Sequence, residues 1–174
     1  MGSLSDRADP RKFMATGLLL TGIINFAFGG VGVYWVHLLL WTLNGFIQGM
    51  GWPPCGRSLG HWYSLRERGS MFAIWNVSHN IGGGLAGIMA ANAALKYGWE
   101  AAFYFPGAIA LIGSVYLFWR LRDTPQSVGL PPIEEYNDDY SYDKEKDEIL
   151  ERELSTKELF LDNILRNKYL WIIA

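Results

Sequence analysis

The chain has 174 residues, half of them hydrophobic and 15% aromatic, with a formal net charge of −2 at pH 7. That balance offers no basic surface for nucleic acid, and a single cysteine, Cys55, excludes an internal disulfide framework. A mean hydropathy near zero conceals a division: four apolar blocks come first and a polar, acidic region follows, the pattern of an all-α membrane protein.

In chain order, Asp9-Pro10 opens the first block, because Asp caps free backbone N–H groups and Pro suits the first helical position. The first span is expected over about 13–29, with Gly17, Gly22 and Gly29 allowing close helix approach. Gly29-Gly30-Val31-Gly32 is a short uncharged turn. The second span is expected over about 34–54, with Asn44 and Gln48 one helical turn apart and Pro53-Pro54 ending or kinking it. Residues 57–68 read as an Arg-rich loop carrying His61, Trp62 and Tyr63 at interface-like positions. The third span covers about 70–94, Leu95-Lys96-Tyr97-Gly98-Trp99-Glu100 interrupts the apolar run, and the fourth span covers about 101–119 before Arg120 and Arg122.

Charge orients these four spans. Arg7, Arg11 and Lys12, then Arg57, Arg66 and Arg68, then Arg120 and Arg122 all fall on one side, against Lys96 alone on the other. The basic side is therefore expected to be cytoplasmic. Residues 123–168, with Pro125, Pro131, Pro132 and an acidic stretch starting at Glu134, read as a solvated cytoplasmic linker. Within it Ser155-Thr-Lys-Glu158 has capping-box spacing and predicts a short amphipathic helix. Residues 169–174 begin another apolar run, so the chain reads as a fragment of a longer membrane protein.

The third span holds the chemistry. After Arg68 it carries no formal charge for about 25 residues, yet its middle contains Asn76, Ser78, His79 and Asn80, followed by Gly82-Gly83-Gly84. His79 lies about 15 Å along the helix from Ser70, near the midplane of a hydrocarbon layer of about 30 Å. Polar groups at that depth need partners or water, so the helix is expected to face a polar cavity or another helix. The residues alone leave two roles for His79, substrate contact or an interhelical hydrogen bond. The glycine triplet lacks the Gly-Lys-Ser/Thr of a phosphate-cradling loop and suits helix packing. No catalytic, metal-binding or cofactor-binding pattern is expected, and Cys55 reads as a small packing residue.

Four phrases carry a resemblance. Gly2-Ser-Leu-Ser-Asp6-Arg7-Ala-Asp9-Pro10-Arg11-Lys12 is similar to the loop between the second and third helices of the major facilitator superfamily. Gln48-Gly-Met-Gly-Trp-Pro-Pro-Cys-Gly-Arg57, Trp75-Asn-Val-Ser-His-Asn-Ile-Gly-Gly-Gly84 and Arg122-Asp-Thr-Pro-Gln-Ser-Val-Gly-Leu-Pro-Pro-Ile-Glu-Glu-Tyr136 resemble its organophosphate:phosphate antiporters. That family includes bacterial glycerol-3-phosphate and hexose-phosphate transporters and a related hexose-phosphate sensor. The resemblance implies helices three to six of a twelve-helix bundle plus the start of helix seven, in a bacterial inner membrane. It also implies that His79 belongs to the substrate site, with Asn76, Trp52 and Gln48 at or beside the central cavity. The family's paired phosphate-binding arginines sit on helices one and seven, outside these four spans. Asp6, Arg7 and Arg11 are expected to act as a conformational gate by pairing with a neighbouring helix end.

The expected function is exchange of an organic phosphate for inorganic phosphate by alternating access, without covalent chemistry, in a protein that is monomeric when full length. The expected partners are those two phosphates and the lipid bilayer. The rival reading is a membrane sugar-phosphate sensor that regulates a histidine kinase, suggested by Thr21-Gly-Ile-Ile-Asn25 and Tyr97-Gly-Trp99. A structural or channel-like membrane protein leaves the midplane His and Asn cluster without a role.

Overall fold

A computed structural model describes residues 8–137, and the structural statements below concern those residues. They form five helices of at least eleven residues: α1 (Pro10–Gly29), α2 (Tyr34–Gln48), α3 (Trp52–Trp62), α4 (Leu65–Tyr97) and α5 (Ala101–Arg120). A 3₁₀ turn at Gln126–Val128 and the single-turn helix α6 (Ile133–Tyr136) follow. The described residues contain no strand. The proposed gate residues Asp6 and Arg7, the capping box at Ser155 and the apolar run from 169 lie outside the described residues.

Local chemistry sets the boundaries. The Asp9 carboxylate accepts from the backbone N–H of Arg11 at 2.9 Å, and Pro10 is buried in the first turn of α1, where a missing N–H costs nothing. The N–H of Gly30 donates back to Phe26 and Ala27, and extended Val33 precedes α2. Gly98 stops α4 at φ 97°, a left-handed backbone that favours glycine, with Lys96 in the last turn complementing the helix dipole.

Two local expectations need correction. Helix does not run through 34–54: α2 ends at Gln48, and Pro53 and Pro54 lie in the first turn of α3. Proline disrupts a helix interior but suits the first turn, and Gly49 and Gly51 are the weak helix formers that supply the break. The Arg-rich stretch 57–68 is helical except for Tyr63 and Ser64, both extended, so α4 starts before Ser70.

The tightest packing joins α1 to α5, which run antiparallel. Ser114 donates its hydroxyl to the Ala15 carbonyl at 2.6 Å in a buried contact. A β-carbon added at Gly22 would sit 3.1 Å from the Gly107 carbonyl oxygen, and one at Gly29 would sit 3.1 Å from that of Glu100. The three pairs, Ala15 with Ser114, Gly22 with Gly107 and Gly29 with Glu100, are each seven residues from the next on both helices. Seven residues make two turns at 3.5 per turn, the repeat of helices that cross at about 20° with a left-handed supercoil. Small residues on that repeat let the two backbones approach, as in membrane bundles.

At the end of this seam where α1 stops and α5 starts, aromatic rings gather. The His37 ring stacks on Phe28 with centroids 4.2 Å apart, and its Nε2 donates to the Phe28 carbonyl at 3.0 Å. Phe103 and Trp41 also meet Phe28, and Trp99 meets the His37 ring edge-on. Tyr97 stacked on Phe105 joins α4 to α5 nearby.

The burial pattern is the reverse of a water-soluble domain. Apart from prolines and glycines, the buried residues are Ala15, Ala93, Ala101, Asn44, Ser64 and Ser114, while Trp35, Trp41, Phe46, Ile112 and Val115 are exposed. Large apolar groups outside and small or hydrogen-bonding groups inside suit helices solvated by lipid, where apolar burial supplies no driving force. By length and composition, α1 and α5 each suffice to cross a membrane.

Candidate functional site

The site begins where α3 starts. Trp52 is its first residue, and its indole meets two rings of α4 edge-on: Trp75 with centroids 4.4 Å apart and His79 at 5.5 Å. Trp75 and His79 are four residues apart and so lie on one face of the helix. Phe72, three residues before Trp75, makes a further edge contact with it at 5.8 Å. Edge-to-face geometry is the arrangement that ring quadrupoles favour, so Trp75 and His79 hold Trp52 at a defined angle while Phe72 supports Trp75.

Asn76 lies three residues before His79. Its amide donates to the Phe72 carbonyl at 3.2 Å, Asn80 donates to the Asn76 carbonyl at 2.8 Å, and Ser78 donates to the Trp75 carbonyl at 2.7 Å. Each of these side chains thus bonds back to its own helix, which lets polar residues sit in an apolar stretch. Each asparagine keeps an acceptor oxygen and one N–H for another partner. All three are exposed, as is His79; Asn76, His79 and Asn80 share one open face, and Ser78 lies on the other side of the helix.

The structure brings Trp52 and His79 together and places Asn76 on the adjoining turn. Gln48 stands exposed at the last turn of α2, and no hydrogen bond or ring contact joins its side chain to His79 among the described residues. Trp75 is the residue that the linear reading passed over, although its place four before His79 marked it. Of the expected gate, Arg11 is described: its guanidinium lies 4.9 Å from the Phe118 ring centroid and ties the start of α1 to the end of α5. Glycines 82, 83, 84 and 87 also lie on open helix surface, for a β-carbon at any of them meets nothing within 4 Å.

The acidic residues after α5 are less solvated than their composition suggests. Glu134 pairs with Arg68 at 3.2 Å with its side chain 14% exposed, and Asp123 pairs with Arg57 at 3.7 Å. Reading Glu134 as part of a solvated linker is therefore corrected. What the site offers chemically is a set of hydrogen-bonding groups beside aromatic rings: the imidazole, the carboxamides and the indole N–H. Among the described residues no group of three or more His, Cys, Asp and Glu stands together as a metal cluster would.

Comparison with known proteins agrees with this architecture. The Major Facilitator Superfamily profile matches residues 1–174. The chain is 49% identical to a glycerol-3-phosphate transporter of Bacillus subtilis, aligned over all of this chain and 40% of that protein. It is 46% identical to a probable hexose phosphate transport protein of Chlamydia muridarum, over 99% of this chain and 40% of that protein. It is 43% identical to the membrane sensor protein UhpC of Escherichia coli, over 99% of this chain and 39% of that protein. The chain thus spans about two fifths of the length of these relatives. No solved structure matches it. With the profile covering every residue, and with helices whose buried face is small and whose exposed face is apolar, the chain belongs to the Major Facilitator Superfamily and is an integral membrane protein.

Proposed function

We propose that the chain is part of a secondary transporter that exchanges an organic phosphate, glycerol 3-phosphate or a hexose 6-phosphate, for inorganic phosphate by alternating access. In this reading α1, α2 together with α3, α4 and α5 supply the four spans of one half of a bundle that works as a monomer in a bacterial inner membrane. Residues 123–168 link that half to the next, with 169–174 opening it, and the basic helix ends face the cytoplasm. The observation that carries the reading is the contact of Trp52 with His79 on an open face that also presents Asn76. Relatives named for glycerol-3-phosphate and hexose phosphate transport supply the substrate class.

The binding residues would be His79, Asn76, Trp52 and Gln48, with Asp6, Arg7 and Arg11 at the gate. His79 donates a hydrogen bond to a phosphate oxygen, and Trp52 covers the carbon skeleton of the organic part. Hydrogen bonds to an ionised acceptor are about twice as strong as neutral ones, so the contact discriminates in favour of the dianion. A phosphate dianion also needs a fixed countercharge, which a bidentate arginine fork supplies best. That anchor is assigned to helices one and seven of the intact polypeptide. Neutralising it lowers the barrier to rocking one half against the other, which makes translocation conditional on a bound phosphate.

The sensor reading is kept because one relative, 43% identical, is named a membrane sensor protein. Counterflow separates the two. Proteoliposomes with the intact protein, loaded with inorganic phosphate, are expected to accumulate labelled phosphate and to exchange it for glycerol 3-phosphate or glucose 6-phosphate. A protein that binds sugar phosphate without any counterflow would be a sensor.

A further inference from the structure

The long-range polar contacts of this unit concentrate where α3 meets α4 and the stretch after α5. Arg68, in the first turn of α4, donates through Nη2 to the Gly60 carbonyl at 2.6 Å and to Glu134 Oε1 at 3.2 Å. Its Nε donates to the Tyr63 carbonyl at 3.3 Å. Gly60 lies in the last turn of α3 and Tyr63 is its cap, so these are carbonyls that a helix end leaves without intrahelical partners. A planar guanidinium with donors in a fixed fork can meet these two carbonyls and the Glu134 carboxylate at once. The Trp62 indole donates to the Arg122 and Asp123 carbonyls, each at 3.2 Å, and Arg57 pairs with Asp123. The C-terminal end of α3 is thereby fastened to both α4 and the exit of α5.

At its other end α3 begins with Trp52, preceded by the non-helical Gly49–Gly51. Eleven helical residues form a rod of about 15 Å. The start of this rod is packed, with Pro54 buried in its first turn and Met50 lying against Gly17 of α1, and its far end is fastened by the polar contacts above, so both ends set its direction. That direction decides how the Trp52 indole meets Trp75 and His79.

We propose that Arg68 is a positioning residue for the substrate site. By bonding the end of α3 to Glu134 and to its own helix, it sets the orientation of Trp52 against His79. The inference rests on the reading of Trp52 and His79 as substrate contacts, and the test separates the two. Binding of glycerol 3-phosphate and inorganic phosphate is measured on the purified intact protein carrying Arg68→Gln, Arg68→Lys, Glu134→Gln, Trp52→Ala, and each of the first three combined with Trp52→Ala. Arg68→Gln is expected to weaken glycerol 3-phosphate binding by about three- to tenfold. Arg68→Lys, which keeps the charge but loses the fork, and Glu134→Gln are each expected to weaken it by about two- to threefold.

In the Trp52→Ala background each of these losses is expected to shrink below about twofold, because the group through which Arg68 acts is gone. If Arg68→Gln does not yield folded protein, Arg68→Lys and Glu134→Gln complete the same cycle. Losses that persist undiminished beside Trp52→Ala, or unchanged affinity in all three single variants, would overturn the positioning role and leave the site reading standing. Unchanged affinity in Trp52→Ala itself would overturn both.

Discussion

Glycine does opposite things on the two sides of this unit. On the α1–α5 seam, Gly22 and Gly107 each stand where an added β-carbon would come within 3.3 Å of the other's carbonyl oxygen. On α4, Gly82, Gly83, Gly84 and Gly87 face open space. The first pair closes a joint. The second set keeps a helix face smooth beside a cluster of exposed carboxamides and an imidazole. A glycine in an apolar helix therefore has no fixed meaning, and only the partner tells which role it has.

The comparison predicts an all-or-none difference in labelling. In a background lacking Cys55, Asn76→Cys in the intact protein is expected to react with a water-soluble thiol reagent and to be protected by glycerol 3-phosphate. Ser114→Cys, buried in the seam, is expected to stay unreactive. On the same logic Arg66→Cys should be labelled only from the cytoplasmic side and Lys96→Cys only from outside. Reaction of Arg66→Cys from outside in intact cells would reverse the topology.

A smaller, graded effect is expected at His79. Removing a hydrogen bond to a charged group costs about 1.5–3 kcal/mol, so His79→Ala should weaken substrate binding roughly ten- to a hundredfold. His79→Gln retains a donor and should lose less. If both variants lower thermal stability while affinity stays unchanged, the histidine belongs to the packing, and α4 is less open than its glycines suggest.

The seam responds differently. Gly107→Val brings a branched side chain against the Asn25 β-carbon and the Gly22 carbonyl, and overpacking of this kind typically costs about 1–3 kcal/mol. Gly83→Val, which meets no neighbour here, should shift the thermal transition by an amount equivalent to at most about 0.5 kcal/mol. Equal destabilisation by the two substitutions would break the comparison. Between these two, Ser114→Ala is expected to cost about 1 kcal/mol for the lost bond to Ala15, read from the same melting curves.

The helix starts and stops were legible where one residue decides them. Asp9-Pro10 marked the start of α1, and Gly98 lay within the stretch expected to interrupt the apolar run. Pro53-Pro54 misled because proline has two opposite effects, and which one operates depends on whether the helix has already ended, as it has at Gln48. The sevenfold register of the seam was invisible from one helix alone: Ala15, Gly22 and Gly29 acquire it only against Ser114, Gly107 and Glu100. His79 and Asn76 drew notice as polar residues in an apolar run, while Trp75 blended into it. The pairing of Arg68 with Glu134 joins residues 66 positions apart, and composition around Glu134 pointed to solvent.

At the end of α1 and start of α5 the fasteners are rings, Phe28, His37, Trp41, Trp99 and Phe103, while at the opposite end they include the partly buried ion pairs Arg57–Asp123 and Arg68–Glu134. Mobile ions weaken charge pairs, partly buried ones less than fully exposed ones, and leave apolar ring contacts untouched. Ionic strength is thus a selective lever on this protein: raising it loosens the charged end first, and hydrogen exchange there should quicken with salt while the aromatic end keeps its protection.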